Sequence, residues 1–212
     1  MKVVIFDFDG VLADSFLCFY SLIRDSMASI GIDLSEGGYR NLFIGNVHQG
    51  FRRLIGDDQK YENFRKFRSD NYDAYYHKFQ PKLFSGVLEM LVTIKDGHSL
   101  AIASSGRRKN IVELLGKNQA THLFKSILAT DEFTKENMLR MILDEHGVGP
   151  EETIMVTDTV GDVAIAKEIG MDTIAVCWGF QSKETLKNSF PGTIVESVPE
   201  LISKIKGAKA QG

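Results

Sequence analysis

The sequence has few of the features that mark secreted, membrane-spanning or disulfide-rich proteins. Only two of its 212 residues are cysteines, Cys18 and Cys177, and their separation fits no metal-ligand motif. No window approaches the roughly 18 consecutive apolar residues that a membrane-spanning helix needs. The apolar run near the N-terminus ends at Asp7 after four residues, which is too short for a signal peptide. We therefore expect a cytoplasmic protein without a membrane partner, and a buried reduced thiol is favoured over a disulfide for each cysteine.

An excess of positive charge is also missing. Lysine and arginine total 25 against 28 aspartate and glutamate residues, which gives a formal net charge of −3. Binding to nucleic acid usually requires a clear basic excess, so this function class is not supported. Hydrophobic residues make up 43% of the chain, which is ordinary for a folded protein. The length allows one α/β domain, or such a core with a small inserted domain.

Short apolar runs alternate with amphipathic segments over much of the chain. The runs are continuous rather than alternating, as in strands that are buried on both faces of a parallel sheet. They lie at residues 3–6, 100–103, 127–129, 154–156 and 173–176. Helical periodicity is found at residues 86–95, 109–115, 135–146 and 161–169, with Thr134 and Gly147 as the expected caps of the third segment. This alternation predicts a doubly wound α/β domain with a parallel sheet.

One long segment breaks the alternation. Residues 16–80 show helical patterns without a convincing strand, and so many residues exceed the needs of a single crossover. The sequence therefore predicts a core of residues 1–15 and 81–212 and an inserted helical domain of residues 16–80. Four aromatic residues recur at helical spacing in this insert and form either its core or a homodimer contact. They are Tyr72, Tyr75, Tyr76 and Phe79.

Two pairs of acids follow predicted strands. Asp7 and Asp9 close the first strand, and side chains two residues apart in an extended segment point the same way. Asp158 and Asp162 follow the strand at 154–156. The carboxyl ends of parallel strands form the crevice where open α/β sheets bind ligands. Carboxylates that meet there need a cation or a shared proton, and Mg²⁺ suits such oxygen ligands. The alternative for each acid is a solvated loop residue or a helix N-cap.

Two further positions have the chemistry to bind phosphate. Ser104, Ser105 and Gly106 follow the strand at 100–103 and lead into a helix, where a hydroxyl and amide groups could hold an anion. Lys135 lies in the first turn of a predicted helix, a poor place for a cation unless an anion is there too. Locally, a capping serine and a surface lysine explain these residues as well.

Together these residues resemble the motifs of the haloacid dehalogenase superfamily of phosphohydrolases. Residues 7–15, Asp-Phe-Asp-Gly-Val-Leu-Ala-Asp-Ser, are similar to the first motif. Ser104 matches the second motif, Lys135 the third, and Asp158 with Asp162 the fourth. The motifs occur in the family's order over most of the chain.

The resemblance is closest to phosphoglycolate-phosphatase-like members. Residues 176–180, Val-Cys-Trp-Gly-Phe, are similar to the last core strand of these proteins. The insert at residues 16–80 is similar in place and size to their helical cap. The resemblance therefore implies a phosphatase for a small phosphorylated metabolite.

The resemblance also implies a role for each acid. Asp7 would attack phosphorus and form an aspartyl-phosphate, and Asp9 would protonate the leaving group and then activate water. Mg²⁺ would be held by Asp7, the backbone carbonyl of Asp9, and Asp158. Asp162 would complete the metal site through water or orient Lys135.

The phosphoryl oxygens would be neutralised by Ser104 and Lys135. Two residues depart from the family pattern, because Glu136 stands where proline is usual and Thr157 where glycine is usual. We expect Thr157 to tune the site rather than abolish its activity.

Other functions share parts of this pattern. The dehalogenase branch lacks the second acid, so Asp9 argues against it. A β-phosphoglucomutase-like enzyme would share the core chemistry and differ in what the cap holds. Two alternatives come from other functional classes. A phospho-acceptor receiver domain would lack the long helical insert. A binding module without catalytic activity would not need every motif residue.

Substrate choice is expected to depend on polar residues outside the core motifs. For each of these a solvated surface position is the alternative. The residues are Asn46, His48, Arg52, Arg53, Lys82 and Arg107. A carboxylated substrate such as phosphoglycolate would need one basic residue among them to meet its carboxylate.

Overall fold

The structure, a computed structural model, describes residues 2–129, 133–189 and 192–207. It divides into two compact units: one runs up to Ala13 and resumes at Leu83, and the other is Asp14–Lys82. These limits lie two residues from the predicted ones. None of the described helices is long and apolar enough to span a membrane.

The first unit contains a sheet of six parallel strands. The strands of the chain are β1 (Val3–Phe6), β2 (Ala13–Asp14), β3 (Lys82–Leu83), β4 (Ser99–Ser104), β5 (Ser126–Ala129), β6 (Thr153–Thr157), β7 (Asp172–Val176) and β8 (Thr193–Val195). The six-stranded sheet has the order β5-β4-β1-β6-β7-β8, with β1 paired in parallel to β4 and β6. The short strands β2 and β3 pair with each other where the chain passes between the units. The predicted doubly wound parallel sheet is confirmed.

The helices of this unit cover both faces of the sheet. They are α5 (Val87–Lys95), α6 (Arg108–Lys117), α7 (Lys135–His146), α8 (Val160–Ile169), α9 (Lys183–Ser189) and α10 (Val198–Gly207). Along β1, Val4 and Phe6 join one hydrophobic cluster while Val3 and Ile5 join the other. Both faces of the strand are therefore buried, which explains why its sequence is continuously apolar.

Helix α7 begins and ends as its sequence predicts. The Thr134 hydroxyl accepts a hydrogen bond from the amide of Asn137 at 3.2 Å, and Gly147 ends the helix in the left-handed conformation. This N-cap fixes Lys135 as the first helical residue. Glu136 lies in the same turn and forms an exposed ion pair with Arg140 at 2.9 Å.

The second unit is helical. It consists of α1 (Phe16–Ala28), α2 (Glu36–Asn41), a 3₁₀ turn at Leu42–Ile44, α3 (Val47–Ile55) and α4 (Asp58–Phe79). The long helix α4 packs along α1, where the ring of Tyr72 lies 5.5 Å from that of Phe19 and the Tyr75 hydroxyl donates to Asp25. These two tyrosines thus contribute to the interior of their own unit. A homodimer contact of the aromatic residues stays a prediction.

Candidate active site

The turn after β1 presents the first pair of acids. The amide groups of Leu12 and Ala13 both donate to the carbonyl of Phe8 at 2.9 Å, which closes a tight turn at the carboxyl end of the strand. Asp7 is held at the start of this turn because its Oδ1 accepts from the Phe8 amide at 2.7 Å.

Asp9 lies close to the loop that follows β4. A Cβ atom added at Gly106 would stand 2.9 Å from Asp9 Oδ2, so the carboxylate comes close to the backbone of this loop. Ser104 is buried at the end of β4, and its hydroxyl accepts from the Gly106 amide at 3.1 Å. Ser105 is exposed between them. The structure therefore brings Asp9 and the predicted phosphate-binding loop to the same place.

Lys135 connects the first pair of acids to the second. Its Nζ lies 3.0 Å from Asp7 Oδ2 and 3.1 Å from Asp162 Oδ2, and it donates to the Ala103 carbonyl at 2.9 Å. The lysine is buried. Three oxygen acceptors thus surround one ammonium group, and its position is set by α7, β1, β4 and the first turn of α8.

Burial and charge shift the pKa values of these groups. Burial alone would lower the pKa of Lys135, but the charges of Asp162 and Asp7 outweigh it and raise this pKa, so the ammonium stays charged. Burial raises the pKa of Asp7 well above its usual range; Lys135 opposes this shift, and Asp162 and Asp158 add to it. The positive charge of Lys135 therefore does not fully offset the effects on Asp7 of burial and of the charges of Asp162 and Asp158.

Asp158 is confined on several sides. It is 1% exposed, and its Oδ2 accepts from the Phe180 amide at 2.6 Å. A Cβ atom at Gly10 would lie 2.1 Å from this oxygen, and one at Gly179 would lie 2.3 Å from it. The other oxygen, Oδ1, is buried and has no hydrogen-bond partner in the part of the chain that the structure describes. Burial, opposed by the Phe180 amide and reinforced by the charge of Asp162, raises the pKa of Asp158 to about 7.

Thr157 takes part in the hydrogen bonding of the same loop. Its side chain is fully buried at the end of β6. The hydroxyl accepts from the amide of Thr159 at 3.3 Å and donates to Asp162 Oδ2 at 3.5 Å. A glycine could make neither contact, so this departure from the family pattern adds a constraint on Asp162.

The comparisons with known proteins agree with this geometry. The family model described as haloacid dehalogenase-like hydrolase matches residues 4–176, which include every motif residue named above. The chain belongs to the haloacid dehalogenase-like hydrolase family. The prediction of a hydrolase of this family is thereby confirmed.

Individual relatives of this hydrolase match over nearly the whole chain. A phosphoglycolate phosphatase of Aliivibrio fischeri is 24% identical, with 99% of this chain and 98% of the relative covered. A 5′-nucleotidase of Pseudomonas aeruginosa is 26% identical over 89% of this chain and 88% of its own. A solved structure of a predicted phosphatase from Clostridium acetobutylicum has a TM-score of 0.81 at 26% identity, covering 97% of this chain and 98% of that one.

The sequence predicts a magnesium site built from the four acids of the two pairs, and this set of ligands stays a prediction. Among the described residues, no three His, Cys, Asp or Glu side chains are placed to hold a metal ion together. Lys135 Nζ contacts both Asp7 and Asp162, so these two carboxylates face the same cation. The residues that fit a divalent cation are Asp7, which is partly buried, and Asp158, which is buried and whose Oδ1 has no hydrogen-bond partner among the described residues.

The residues predicted to choose the substrate lie in both units. Arg52 forms an ion pair with Asp58 at 3.2 Å, and its guanidinium lies 4.3 Å from the ring centre of Tyr61, all within the second unit. His48 is exposed on α3. Arg107 is partly buried and precedes α6 in the first unit. Their contact with a substrate stays a prediction.

The loop after β7 is the part of the site that the sequence interpretation missed. Residues 176–180 were assigned to a strand and its end, without a site role. The Phe180 amide donates to Asp158, and Gln181 is buried beside it. The Gly179-Phe180 pair was a signal, because a glycine after a buried strand often marks a close backbone approach.

Replacing Gly10 by alanine should disable the hydrolase. The residue has a φ of +78°, and the new Cβ would overlap the carboxylate of Asp158. We expect kcat to fall by at least about tenfold, because a misplacement of about 1 Å can cost much more than this. The control is Gly31→Ala, at φ +80° with nothing within 4 Å, which carries the backbone strain without the overlap. Equal kcat values for the two variants would contradict the close approach at Asp158.

Proposed function

We propose that the protein is a Mg²⁺-dependent phosphatase that hydrolyses a small phosphomonoester through an aspartyl-phosphate. The observation that carries this proposal is the ion pair of Lys135 with Asp7 at the carboxyl end of β1. A charged lysine contacts the Asp7 carboxylate, and Ser104 and Asp9 lie where β4 and β1 end at the same edge of the sheet. This arrangement suits transfer of a phosphoryl group, in which positioning and charge stabilisation dominate.

Asp7 is the nucleophile of the proposed reaction. Its carboxylate attacks phosphorus, an O–P bond forms, and the bond from phosphorus to the ester oxygen breaks. Lys135 and the Ser104 hydroxyl hold the phosphoryl oxygens as negative charge shifts among them. Lys135 suits this role because its pKa is raised by Asp162 and Asp7 against the effect of burial, and it therefore stays protonated.

Asp9 moves the protons. Its carboxyl group gives a proton to the departing ester oxygen and so releases the alcohol. The resulting carboxylate then takes a proton from the water that attacks phosphorus, and the bond to Asp7 breaks to release inorganic phosphate. Asp9 suits this role because its carboxylate lies beside Gly106, in the loop that follows Ser104.

A divalent cation fits this site. Asp7, Asp158 and the backbone carbonyl of Asp9 would hold it, and Asp162 would act by orienting Lys135. When bound, Mg²⁺ supplies positive charge to the phosphoryl oxygens and keeps Asp7 ionised despite its burial. The raised pKa of Asp7, which burial causes and Lys135 only partly offsets, supports the need for this charge.

Phosphoglycolate is the substrate that we propose to test first. The Aliivibrio fischeri relative that matches 99% of this chain carries the name phosphoglycolate phosphatase. The name of the Pseudomonas aeruginosa relative, 5′-nucleotidase, makes nucleoside 5′-monophosphates the second class to compare. A basic residue such as His48, Arg52 or Arg107 would bind the substrate carboxylate.

The test is release of inorganic phosphate from p-nitrophenyl phosphate, phosphoglycolate and a nucleoside 5′-monophosphate. We expect hydrolysis with Mg²⁺, loss of at least about 99% of it in EDTA, and recovery when Mg²⁺ is restored in excess. The ester with the highest kcat/KM identifies the substrate class. Full activity in EDTA would overturn the metal dependence, and absence of phosphate release from every ester would overturn the phosphatase.

A further inference from the structure

Gln181 is a buried amide that the proposed reaction does not use. It follows β7 and is only 1% exposed. Its Oε1 accepts a hydrogen bond of 2.6 Å from the backbone amide of Val160. Glutamine is seldom fully buried, because its polar atoms need partners when they leave water. The short contact to Val160 meets this need for one of them.

Val160 is the first residue of α8, so its contact with Gln181 holds the start of this helix. The first amide groups of a helix have no acceptor within the helix. The Thr159 hydroxyl accepts from the amide of Asp162, and Gln181 accepts from that of Val160. The start of α8 is thus held by its own N-cap and by a side chain 21 residues further along the chain. Asp158 lies directly before this helix start.

The segment that carries Gln181 also contacts Asp158 directly. The neighbouring amide, that of Phe180, donates to Asp158 Oδ2 at 2.6 Å. Gly179 precedes it with so little space that an added Cβ would lie 2.4 Å from the Gly10 carbonyl. The backbone therefore approaches the carboxylate from one side while the side chain of Gln181 holds the following helix.

We propose that Gln181 is a positioning residue for Asp158. By fastening the loop after β7 to the first turn of α8, it keeps the Phe180 amide on Asp158 Oδ2. Oδ1, which none of the described residues hydrogen-bonds, is then left for the cation. The link to metal binding rests on the proposed function, but the link from Gln181 to the Phe180 amide does not.

Only some variants of Gln181 keep the contact with Val160. Methionine has a similar length but no acceptor, and asparagine keeps the amide but is one methylene shorter. Both should release the Val160 and Phe180 amides. Glutamate keeps an acceptor oxygen at the same distance, and a negative charge at a helix N-terminus is favourable, so Gln181→Glu should restore the contact.

The first measurement is amide hydrogen exchange, followed by NMR in EDTA. We expect the Val160 and Phe180 amides to exchange at least about tenfold faster in Gln181→Met and Gln181→Asn, because each of these amides loses or weakens its acceptor. In Gln181→Glu both rates should stay within about threefold of wild type. Wild-type protection of Phe180 in the methionine and asparagine variants would overturn the positioning role, whether or not the protein binds metal.

The second measurement is the dissociation constant of Mg²⁺, obtained by calorimetry with the same proteins. We expect it to rise by about 10- to 100-fold in Gln181→Met, the range typical for residues that orient metal ligands, and to recover in Gln181→Glu. At saturating Mg²⁺ the KM for p-nitrophenyl phosphate should stay within about twofold of wild type. Gln59→Met, which removes an exposed side-chain contact with Asn63 on α4, is the control and should change neither quantity.

These results separate the possible failures. If wild type neither binds Mg²⁺ nor hydrolyses the ester, the proposed function fails, while the exchange rates still decide the role of Gln181. An unchanged Mg²⁺ constant in both loss variants, with wild type active, would overturn the link from Gln181 to the metal.

Discussion

Replacing Asp7 by asparagine is expected to reduce phosphatase kcat by about 1,000-fold or more, as is typical when a covalent nucleophile is removed. Asparagine has the shape of aspartate and can still accept from the Phe8 amide, but its amide group is not a nucleophile towards phosphorus. It also places a donor towards Lys135, where the carboxylate accepted. The measurement is steady-state hydrolysis of p-nitrophenyl phosphate at saturating Mg²⁺.

The fold should tolerate this change. Burial raises the pKa of Asp7, so a neutral side chain relieves part of the desolvation cost while the ion pair with Lys135 is lost. We expect the melting temperature to stay within about 4 °C, which corresponds to roughly 1 kcal/mol. Asp96→Asn makes the same substitution at an exposed position and should leave kcat unchanged. Residual activity above about a tenth of wild type would argue that another group attacks phosphorus.

Replacing Lys135 by methionine is expected to lower kcat by about 100-fold or more. The substitution removes the cation that faces Asp7 and Asp162, and it leaves the two partly buried carboxylates to repel each other. Loss of one preorganised charge contact to a transition state commonly costs two to three orders of magnitude, roughly 3–4 kcal/mol. Because no ion pair then offsets burial, the pKa of Asp7 should rise further.

The matched control changes a lysine in an exposed pair. Lys117 contacts Glu113 on the surface of α6 at 2.6 Å, and exposed pairs of this kind contribute less than about 1 kcal/mol. Lys117→Met should therefore leave kcat and the melting temperature nearly unchanged. If Lys135→Met and Lys117→Met had the same kcat, the ion pair of Lys135 with Asp7 would not be part of catalysis.

The central strands could be predicted because burial on both faces makes their sequence continuously apolar. β1, β4 and β6 lie side by side, and this adjacency brings Asp7, Ser104 and Asp158 to one edge of the sheet. The start of α7 could be predicted from the N-cap at Thr134, and with it the place of Lys135. Local sequence and chain topology therefore favour the same site.

The peripheral elements were harder to predict. β8 has three residues, Thr193–Val195, and lies at the edge of the sheet, so its apolar run is too short to stand out. Helix α9 is not predicted either, because it has seven residues and buries one of them, Leu186, which gives no apolar period. Helix α10 is also absent from the prediction. The two-residue strands β2 and β3 have no periodicity from which they could be recognised.

Contacts between distant segments could not be predicted from spacing. The hydrogen bond from Val160 to Gln181 spans 21 residues and depends on how β6 and β7 lie beside each other. The same holds for Lys135, whose Nζ contacts both Asp7 and Asp162 although the three residues are far apart in the sequence. Sequence spacing indicated which charged residues belong to the site but not which of them contact each other.

The most direct test of the central claim is to identify the residue that carries the phosphoryl group. Borohydride reduces an acyl phosphate to the alcohol, so quenching the enzyme during turnover and reducing it should convert a phosphorylated aspartate to homoserine. We expect mass spectrometry to find homoserine at position 7, only after substrate and Mg²⁺ are added, and never in Asp7→Asn. Homoserine at Asp9 or elsewhere, or an active enzyme that never yields it, would contradict the assignment of Asp7 as the nucleophile.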